Sequence, residues 1–461
     1  MVTKCYKILW QYVRSVKLMR VKSLDSSITL KDVFQVFAGE PYLAFLASSL
    51  QSDLGRYSIL GRKPYLRLKQ VKGELYINDV RQPDVDFDTY LEEYLNTHYE
   101  KNLTNLPIVS GCLGYFSYDY ASHQVTDLPT SCLNFYDELW VEDHLTQEVW
   151  LIEQGQLGSE EEMMALSLDA LRNNQSNYQV EIDQSASFKE DVSKETYLSQ
   201  IEKVQDKITS GEVYVMNLTQ RFQLTSQANP IQVFRYLYQH NPAPFSAYLD
   251  EGEFQIISAS PERFFEIRNG KAQTRPIKGT VPRGATPSED KALKQQLQQS
   301  AKEQSELMMI VDMERNDLNR FCQPGTVKVP HMFTVESYAT VHHLVSEVEG
   351  LVKPDVSGFE AFRYMFPGGS ITGAPKESAM SIIQELEVSP RGIYTGAIGY
   401  FSLDGDCDWN IVIRSLLHEQ GRYELGVGGG ITIESHPEEE HQEIYQKGKA
   451  LLEAFGLETP C

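Results

Sequence analysis

Short alternations of apolar and polar residues predict strands in the part of the chain before residue 190. The runs 65–68 and 74–77 alternate in this way on either side of Gly73. A period of two with a glycine between the runs is typical of a hairpin. The chain is therefore expected to begin with hairpin-rich structure.

Beyond residue 190 the apolar spacing becomes that of helices. Ser193 is a candidate N-cap, and Gly211 a candidate end, for a helix with apolar positions four, three and four residues apart. These positions are Tyr197, Ile201, Val204 and Ile208. A strand is predicted to follow over residues 213–224.

A second helix is predicted to start after Thr286. The segment 286–289, Thr-Pro-Ser-Glu, is a capping box with proline at the first helical position. The apolar residues assigned to this helix are Leu293, Leu297 and Ala301. Interleaved helices and strands, without a repeat of 20 to 50 residues, argue against solenoids and propellers.

The polar stretch 171–192 interrupts the apolar periodicity and has the composition of a linker. We place a boundary near residue 190, between an N-terminal lobe (1–190) and a C-terminal lobe (191–461). A length of 461 residues is large for one ordinary domain and agrees with two lobes.

Charge and cysteine content exclude several classes of protein. The 42 Lys and Arg against 64 Asp and Glu give a net charge of −22, without a basic stripe, so nucleic acid and anionic membranes are poor partners. The six cysteines form no CxxC pair, which argues against a zinc site or a disulfide scaffold. Neither a signal sequence nor an apolar run of about 18 residues is visible, so we expect a cytoplasmic protein.

Two pairs of glutamates have helical spacing, Glu303 with Glu306 and Glu440 with Glu443. A separation of three residues puts both carboxylates of a pair on one helix face. Such pairs are usually solvated, but Glu303 and Glu306 lead directly into the apolar run 307–311 and so lie near a core. Magnesium prefers a few carboxylates together with water and substrate oxygens, and each pair could contribute such ligands. The first pair is expected near the end of the helix that starts after Thr286.

Two glycine-rich segments, 366–376 and 426–430, allow a ligand to approach the backbone. The first enters a helix near Pro375 and could point N–H groups at an anion. It is not a Walker A loop, because Ala374 and not Lys-Ser/Thr follows Gly373. The second could equally form a bulge or a tight turn. Nearby, Arg414 would need a carboxylate partner if it lay in a buried strand.

Lys278, in Arg-Pro-Ile-Lys-Gly-Thr (275–280), is a candidate nucleophile. A lysine amine attacks carbon only when neutral, which requires a desolvated pocket that lowers its pKa. A solvated loop lysine is the ordinary alternative.

Together these motifs, in this order, resemble the chorismate-binding family of anthranilate, aminodeoxychorismate, isochorismate and salicylate synthases. The segments that carry the resemblance are 260–264 (Ser-Pro-Glu-Arg-Phe), 276–280, 302–306, 311–317, 343–346, 373–376, 413–415, 428–431 and 440–443. Segments 45–49, 55–58 and 241–245 resemble the family's tryptophan pocket. The pocket residues implied are Ser48, Ser49, Arg56, Tyr57, Asn241, Pro242 and Phe245.

The resemblance implies an α+β fold of two large packed β-sheets with helices on the outer faces. It also implies roles for the site residues: Lys278 as nucleophile, Glu262 as general acid, and a histidine, His343, near the ring unless it is merely structural. Mg²⁺ would be held by Glu303, Glu306, Glu440 and Glu443. Substrate contacts would come from Gly279, Thr280, Thr372, Tyr400, Arg414, Gly428, Gly429 and Gly430.

Two positions bear on the branch of the family. Anthranilate-forming members have alanine where Lys278 stands, so the lysine resembles the branch that forms aminodeoxychorismate for p-aminobenzoate and folate. The position of the water-activating lysine in isochorismate- and salicylate-forming members aligns with Val215, which cannot act as a base. Amine-adding members usually have glutamine there, so Val215 is a departure. An anthranilate-forming enzyme and a catalytically silent chorismate- or tryptophan-binding subunit are the alternatives.

The amine source is expected to be ammonia from a separate glutamine amidotransferase. A glutaminase of this class needs a cysteine on a Gly-x-Cys-x-Gly turn. Cys112 comes nearest, in Ser-Gly-Cys-Leu-Gly (110–114), but its first glycine is one place too late.

Overall fold

The structure is a computed structural model. It describes residues 8–9, 19–24, 28–50, 52, 54–124, 126–158, 160–173, 186–337 and 341–458. Residues 174–185 of the predicted linker lie outside these ranges, and the boundary near residue 190 stays a prediction.

Eleven α-helices occur within the described ranges. They are α1 (Leu30–Phe37), α2 (Phe87–Thr97), α3 (Tyr118–Ser122), α4 (Glu160–Asn173), α5 (Lys194–Thr209), α6 (Pro230–His240), α7 (Pro287–Gln299), α8 (Ala301–Phe321), α9 (Gly358–Met365), α10 (Lys376–Leu386) and α11 (Pro437–Glu453). In the same ranges, none of the helices combines the length and apolar character that a membrane span requires.

The same ranges contain 23 strands. They are β1 (Ile8–Leu9), β2 (Arg20–Ser23), β3 (Ala44–Ala47), β4 (Tyr57–Val71), β5 (Glu74–Ile77), β6 (Val80–Gln82), β7 (Gly111–Phe116), β8 (Ser131–Asp143), β9 (Glu148–Glu153), β10 (Ser187–Glu190), β11 (Val215–Thr225), β12 (Phe245–Asp250), β13 (Gln255–Ser260), β14 (Arg263–Arg268), β15 (Lys271–Thr274), β16 (Ile277–Pro282), β17 (Lys328–Ser337), β18 (Val341–Leu351), β19 (Gly373–Ala374), β20 (Ala397–Ser402), β21 (Cys407–Asn410), β22 (Ser415–Glu419) and β23 (Arg422–Ile431).

All strand pairs are antiparallel, and the long strands β4 and β8 pair along most of their length. One half of β4 also pairs with β3 and the other with β5, while β8 pairs with β7 and then β9. The hydrogen-bonded network therefore divides into two sheets that share β4 and β8. One sheet continues from β3 through β12, β13, β22, β23 and β11. The other continues from β7 through β20, β21, β14, β15 and β18.

Two apolar cores follow from this arrangement. The inner core joins both sheets and, among the described residues, takes its buried side chains only from strands and loops, as with Leu113 on β7, Leu139 on β8 and Ile256 on β13. The second core includes the buried faces of helices, such as Leu307 on α8 and Ile444 on α11. The predicted α+β fold, with two packed sheets and helices outside them, is confirmed.

The turn and the helix caps that were predicted from local sequence signals are present in the structure. Gly73 has φ +80° in the turn between β4 and β5, a conformation that glycine adopts without strain. Ser193 caps α5, its hydroxyl accepting the Thr196 N–H. Thr286 likewise caps α7. The described cysteines, Cys112, Cys132, Cys322 and Cys407, are buried and free.

One helix prediction is wrong. The helix after Thr286 does not continue through Ala301, because Ser300 is extended (φ −67°, ψ 108°) and its side chain accepts the Glu303 N–H. Ser300 thus ends α7 and caps α8. Glu303 and Glu306 lie in the first two turns of a new helix and not near the end of the previous one.

A pair of buried glutamates lies on β8 and β9, where Glu138 is directly opposite Glu153. Glu138 forms ion pairs with both nearby cations, with Arg62 at 2.8 Å and with Lys63 at 2.7 Å. Glu153 is fully buried, and its carboxyl group, when protonated, hydrogen-bonds to the Glu138 carboxylate. Burial, and then the negative charge of Glu138, raises the pKa of Glu153 to about 9.

We expect Glu153→Gln to stabilise the protein at pH 8. The folded state keeps Glu153 protonated, whereas the unfolded chain ionises above its ordinary pKa of about 4.3. Wild-type stability therefore falls as pH rises from there toward 9, and the amide removes this cost. The gain at pH 8 should be about 1–3 kcal/mol in urea unfolding and should shrink at pH 5. Glu148→Gln, exposed on the same strand, is the control. A gain independent of pH would contradict this assignment.

Candidate active site

Lys278 is the second residue of β16, and it is half-buried. The glycine after it has φ +78°, and the pairing of β16 with β18 is irregular between Lys278 and Thr280. A methyl group added at Gly430 on β23 would lie 3.1 Å from Lys278 Nζ and 3.8 Å from Val215 Cγ2. The predicted nucleophile, the glycine-rich strand and the aligned Val215 position therefore meet at one place.

Glu262 lies between β13 and β14 and is 6% exposed. Burial raises the pKa of its carboxyl to about 7, although the charges of Lys278 and Arg414 act to lower it. Much of this carboxyl is therefore protonated near neutral pH. A protonated acid close to Lys278 has the properties of the predicted general acid.

Arg414 does not lie in a strand, which corrects the sequence expectation. It occupies the loop between β21 and β22 with φ +50°, and its carbonyl accepts the Ala259 N–H. Burial lowers the pKa of the guanidinium, and the charge of Glu262 opposes that shift. Arg414 thus faces a carboxyl group, as its burial required.

His343 on β18 is 3% exposed and is paired in register with Thr280 on β16. Its Nδ1 and the Thr280 hydroxyl form a hydrogen bond of 2.8 Å. Burial, followed by the charge of Arg414, lowers the pKa of the imidazole to about 4. His343 is therefore neutral at physiological pH, in the wall of the same site.

Glycines let two of the predicted metal glutamates approach the site. A methyl group added at Gly279 would lie 2.8 Å from Glu303 Oε2, and one at Gly429 would lie 3.0 Å from Glu440 Oε2. Contacts this short leave room for no larger residue unless the carboxylates move. Glu303 on α8 and Glu440 on α11 are thus held against β16 and β23, the two strands that meet at Lys278.

The two glutamate pairs also act on each other. Burial raises the pKa of Glu306; Lys278 opposes this rise, whereas Glu303 and Glu443 add to it. The Ser435 hydroxyl donates to Glu440 at 2.7 Å, and Lys447 pairs with Glu443 at 2.7 Å. No three acidic, histidine or cysteine side chains in the described ranges are gathered closely enough to form a closed metal cage. Mg²⁺ needs only one or two protein carboxylates beside water and substrate oxygens, and these oxygen donors fit that mode.

Thr372 and the glycines at 428–430 are two further predicted substrate contacts. Thr372 is fully buried near Lys278, fixed by a hydrogen bond from its hydroxyl to the Gly368 carbonyl at 2.9 Å and by the Asn217 N–H. The glycines at 428–430 lie within β23 in regular pairing with β11, so the bulge and turn alternatives are wrong.

Tyr400, the last predicted substrate contact, lies on β20. It lines a separate cavity of about 780 Å³ beside the two sheets, together with Ser48, Arg56, Tyr57 and Phe245 of the predicted tryptophan pocket. Ser49, Asn241 and Pro242 do not line this cavity in the part of the chain that is described. The Ser49 hydroxyl instead donates to the Ala243 carbonyl at 3.1 Å.

Sequence reasoning missed one acidic residue next to Glu262. Glu314 on α8 is 3% exposed. The signal was present, because Glu314 continues the buried spacing of Leu307, Val311 and Leu318 and so places a carboxyl group at a core position.

Comparisons with known proteins agree with the resemblance found in the sequence motifs. A family model described as chorismate binding enzyme matches residues 51–453. The chain is 36% identical over 450 residues to "Aminodeoxychorismate synthase, chloroplastic" of Arabidopsis thaliana, covering 87% of this chain and 49% of that protein; it thus spans about half the length of that relative.

Two further matches cover most of both chains. "Aminodeoxychorismate synthase component 1" of Bacillus subtilis is 34% identical over 426 residues, covering 87% of this chain and 90% of that protein. The crystal structure of anthranilate synthase component I from Streptococcus pneumoniae has a TM-score of 0.79 and 32% identity, covering 87% of this chain and 93% of that one. On this agreement of family model, relatives and fold, the chain belongs to the chorismate binding enzyme family.

Proposed function

We propose that this chain is an aminodeoxychorismate synthase component I, which converts chorismate and ammonia to 4-amino-4-deoxychorismate on the route to p-aminobenzoate and folate. The observation that carries the proposal is the position of Lys278 between the buried acid Glu262 and the glutamates of α8 and α11. Relatives of that name support it.

The residues of the site suit the two halves of this reaction. Glu262 donates a proton to the C4 hydroxyl, which leaves as water, while neutral Lys278 attacks C2 with an allylic shift of the double bond. Ammonia then attacks C4, the C2–N bond breaks, and its electron pair returns to Lys278 as a neutral amine. Val215, in place of the usual glutamine, leaves the positioning of ammonia to other groups.

The remaining residues bind and orient the ring. Gly279, Thr280 and Thr372 border it, and neutral His343 lies beside Thr280. Arg414 and the backbone amides of residues 428–430 receive the enolpyruvyl carboxylate, whereas Tyr400, also predicted for this role, lines the cavity beside Arg56. Mg²⁺ held by Glu303, Glu306, Glu440 and Glu443 would supply positive charge for the ring carboxylate.

A product assay tests the proposal directly. The purified chain is incubated with chorismate, magnesium and ammonium, and the products are identified by mass spectrometry. Aminodeoxychorismate is expected. Anthranilate, which the similarity to anthranilate synthase component I keeps as the second candidate, would appear with release of pyruvate and would contradict the assignment, as would isochorismate. A silent binding subunit would give no product, but Lys278, Glu262 and all four glutamates are present.

The cavity beside Tyr400 belongs to the same proposal, as a pocket for tryptophan. Arg56 and Asp143 form an ion pair at its edge, at 2.7 Å, and Arg263 with Asp408 forms a second in its wall, at 2.9 Å. Cationic and anionic groups that line one cavity together with the rings of Tyr57 and Phe245 suit a zwitterionic aromatic amino acid.

The amine source gives a further prediction. Ammonium at alkaline pH, where NH₃ is available, should support turnover by the pure chain. Glutamine should support turnover only after a glutamine amidotransferase subunit is added. The reason is that the described cysteines are buried and burial raises the pKa of the Cys112 thiol to about 12, the reverse of an activated nucleophile. Glutamine-dependent turnover by the pure chain alone would contradict this expectation.

A further inference from the structure

A buried carboxyl group that the proposed mechanism does not use lies behind Glu262. Glu314 accepts the N–H of Gly369, and a methyl group added at that glycine would lie 3.2 Å from Glu314 Oε1. Gly369 begins the short 3₁₀ turn Gly369–Ile371. The next residue of the turn, Ser370, is close enough to Glu262 to lower the pKa of that carboxyl. This turn therefore connects the two acids.

Three polar atoms at this place lack partners. Across the described part of the chain, Glu262 Oε1, Ser370 Oγ and Glu314 Oε2 are each buried without a hydrogen-bond partner of ordinary length. An isolated buried atom of this kind destabilises the folded state, and most buried polar atoms in proteins have a hydrogen-bond partner. Three of them, on two acids and on the serine of the turn between these acids, leave polar atoms that no fixed hydrogen bond among the described residues occupies.

Burial raises the pKa values of both acids, and the charged groups around them modify that effect in opposite directions. Burial, and then the charge of Asp317, raises the pKa of Glu314 to about 8; Glu262 adds to the rise and Lys376 opposes it. The Lys376 ammonium group donates a hydrogen bond to Asp317 at 2.6 Å. This pairing weakens the effect of Lys376 on Glu314. Lys278 and Arg414 are the cations that act on Glu262.

We propose that Glu314 is the proton reserve of Glu262, returning a proton to it through the Ser370 hydroxyl after the C4 hydroxyl has left. This inference rests on the proposed function. Glu314 acts through Glu262 and does not touch the substrate. It is therefore a positioning residue and not a catalytic residue.

The protons balance over one turnover. The C4–O bond breaks and water leaves with the proton of Glu262, which becomes a carboxylate. Ser370 gives its hydroxyl proton to Glu262 and takes the proton of Glu314. When ammonia adds, the new C4 substituent is first an ammonium group. Glu262 takes its extra proton and passes its own proton back through Ser370, which restores Glu314. Chorismate and ammonia thus give aminodeoxychorismate and water without net proton uptake.

The test compares Glu314→Gln with Asp312→Asn, which makes the same change at an exposed position of α8. Glu314→Gln should lower kcat roughly tenfold or more. Its kcat/KM for chorismate should stay within about threefold of wild type, because the first loss of the hydroxyl uses the proton already on Glu262. The alkaline limb of the kcat profile should move to lower pH. In rapid-quench experiments the first turnover should keep its normal rate. Asp312→Asn should match wild type.

Ser370→Ala provides the second variant, and it should show the same selective loss of kcat. Equal losses of kcat and kcat/KM in Glu314→Gln would indicate a structural role and overturn the proposal, as would an unchanged kcat. Failure of the proposed function is distinguished by the wild-type protein, which would then form no aminodeoxychorismate.

Discussion

Lys278→Ala should eliminate any covalent adduct with chorismate and lower aminodeoxychorismate formation by roughly a thousandfold or more. The variant removes the only nitrogen placed by β16 beside Gly430 and Val215 in the described structure. Intact-protein mass spectrometry after rapid quench measures the adduct, and product analysis measures turnover. The fold should be unchanged, because Lys278 is half-buried at a wall of the site.

Two further variants separate chemistry from charge. Lys278→Arg keeps a long basic side chain between Glu262 and Glu306, but a guanidinium stays protonated and cannot act as a neutral nucleophile, so this variant should be as inactive as Lys278→Ala. Lys291→Ala removes an exposed lysine from α7 and should behave as wild type. Near-normal turnover of Lys278→Ala, with an adduct at another residue, would show that the nucleophile lies elsewhere.

The second large effect is expected from the metal glutamates. Glu303→Gln and Glu440→Gln should each lower activity about a hundredfold at 1 mM Mg²⁺ and recover part of it at tens of millimolar. The amide keeps the size of the side chain against Gly279 or Gly429 and removes the charge that a cation needs. Calorimetric titration of Mg²⁺ in the presence of chorismate measures the affinity independently of turnover.

The neighbouring Glu439 provides a matched control, because it is exposed on the same helix. Glu439→Gln should keep wild-type magnesium dependence. Full activity of the wild-type protein in excess chelator would remove the metal from the proposal.

Local sequence signals predicted the elements that depend on neighbours in the chain. The caps at Ser193 and Thr286 and the turn at Gly73 involve side chains and dihedral angles within four residues of each other. The break at Ser300 was missed because α7 and α8 follow each other without a glycine or proline between them. A serine in a helical pattern gives no clear signal unless its backbone conformation is known.

The position of a side chain relative to two sheets could not be read in this way. Tyr400 and Arg414 were both predicted to contact the substrate, yet β20 directs Tyr400 into the cavity of Arg56 and Tyr57. Arg414 instead turns toward Glu262 through a left-handed backbone conformation. Which face of a strand meets which site depends on pairings between residues hundreds of positions apart, such as Tyr400 with Leu113.

The same long-range pairings set an order of events when the protein is made. Strands β3 and β7 lie in the first quarter of the chain, but their partners β12 and β20 are synthesised much later. At translation rates of about 5–20 residues per second, β7 waits on the order of 15–60 s for β20. During that time its apolar edge, including Leu113 and Tyr115, has no native cover. The nascent N-terminal third is therefore expected to expose apolar surface until β20 has been made, because the inner core closes only near the end of synthesis.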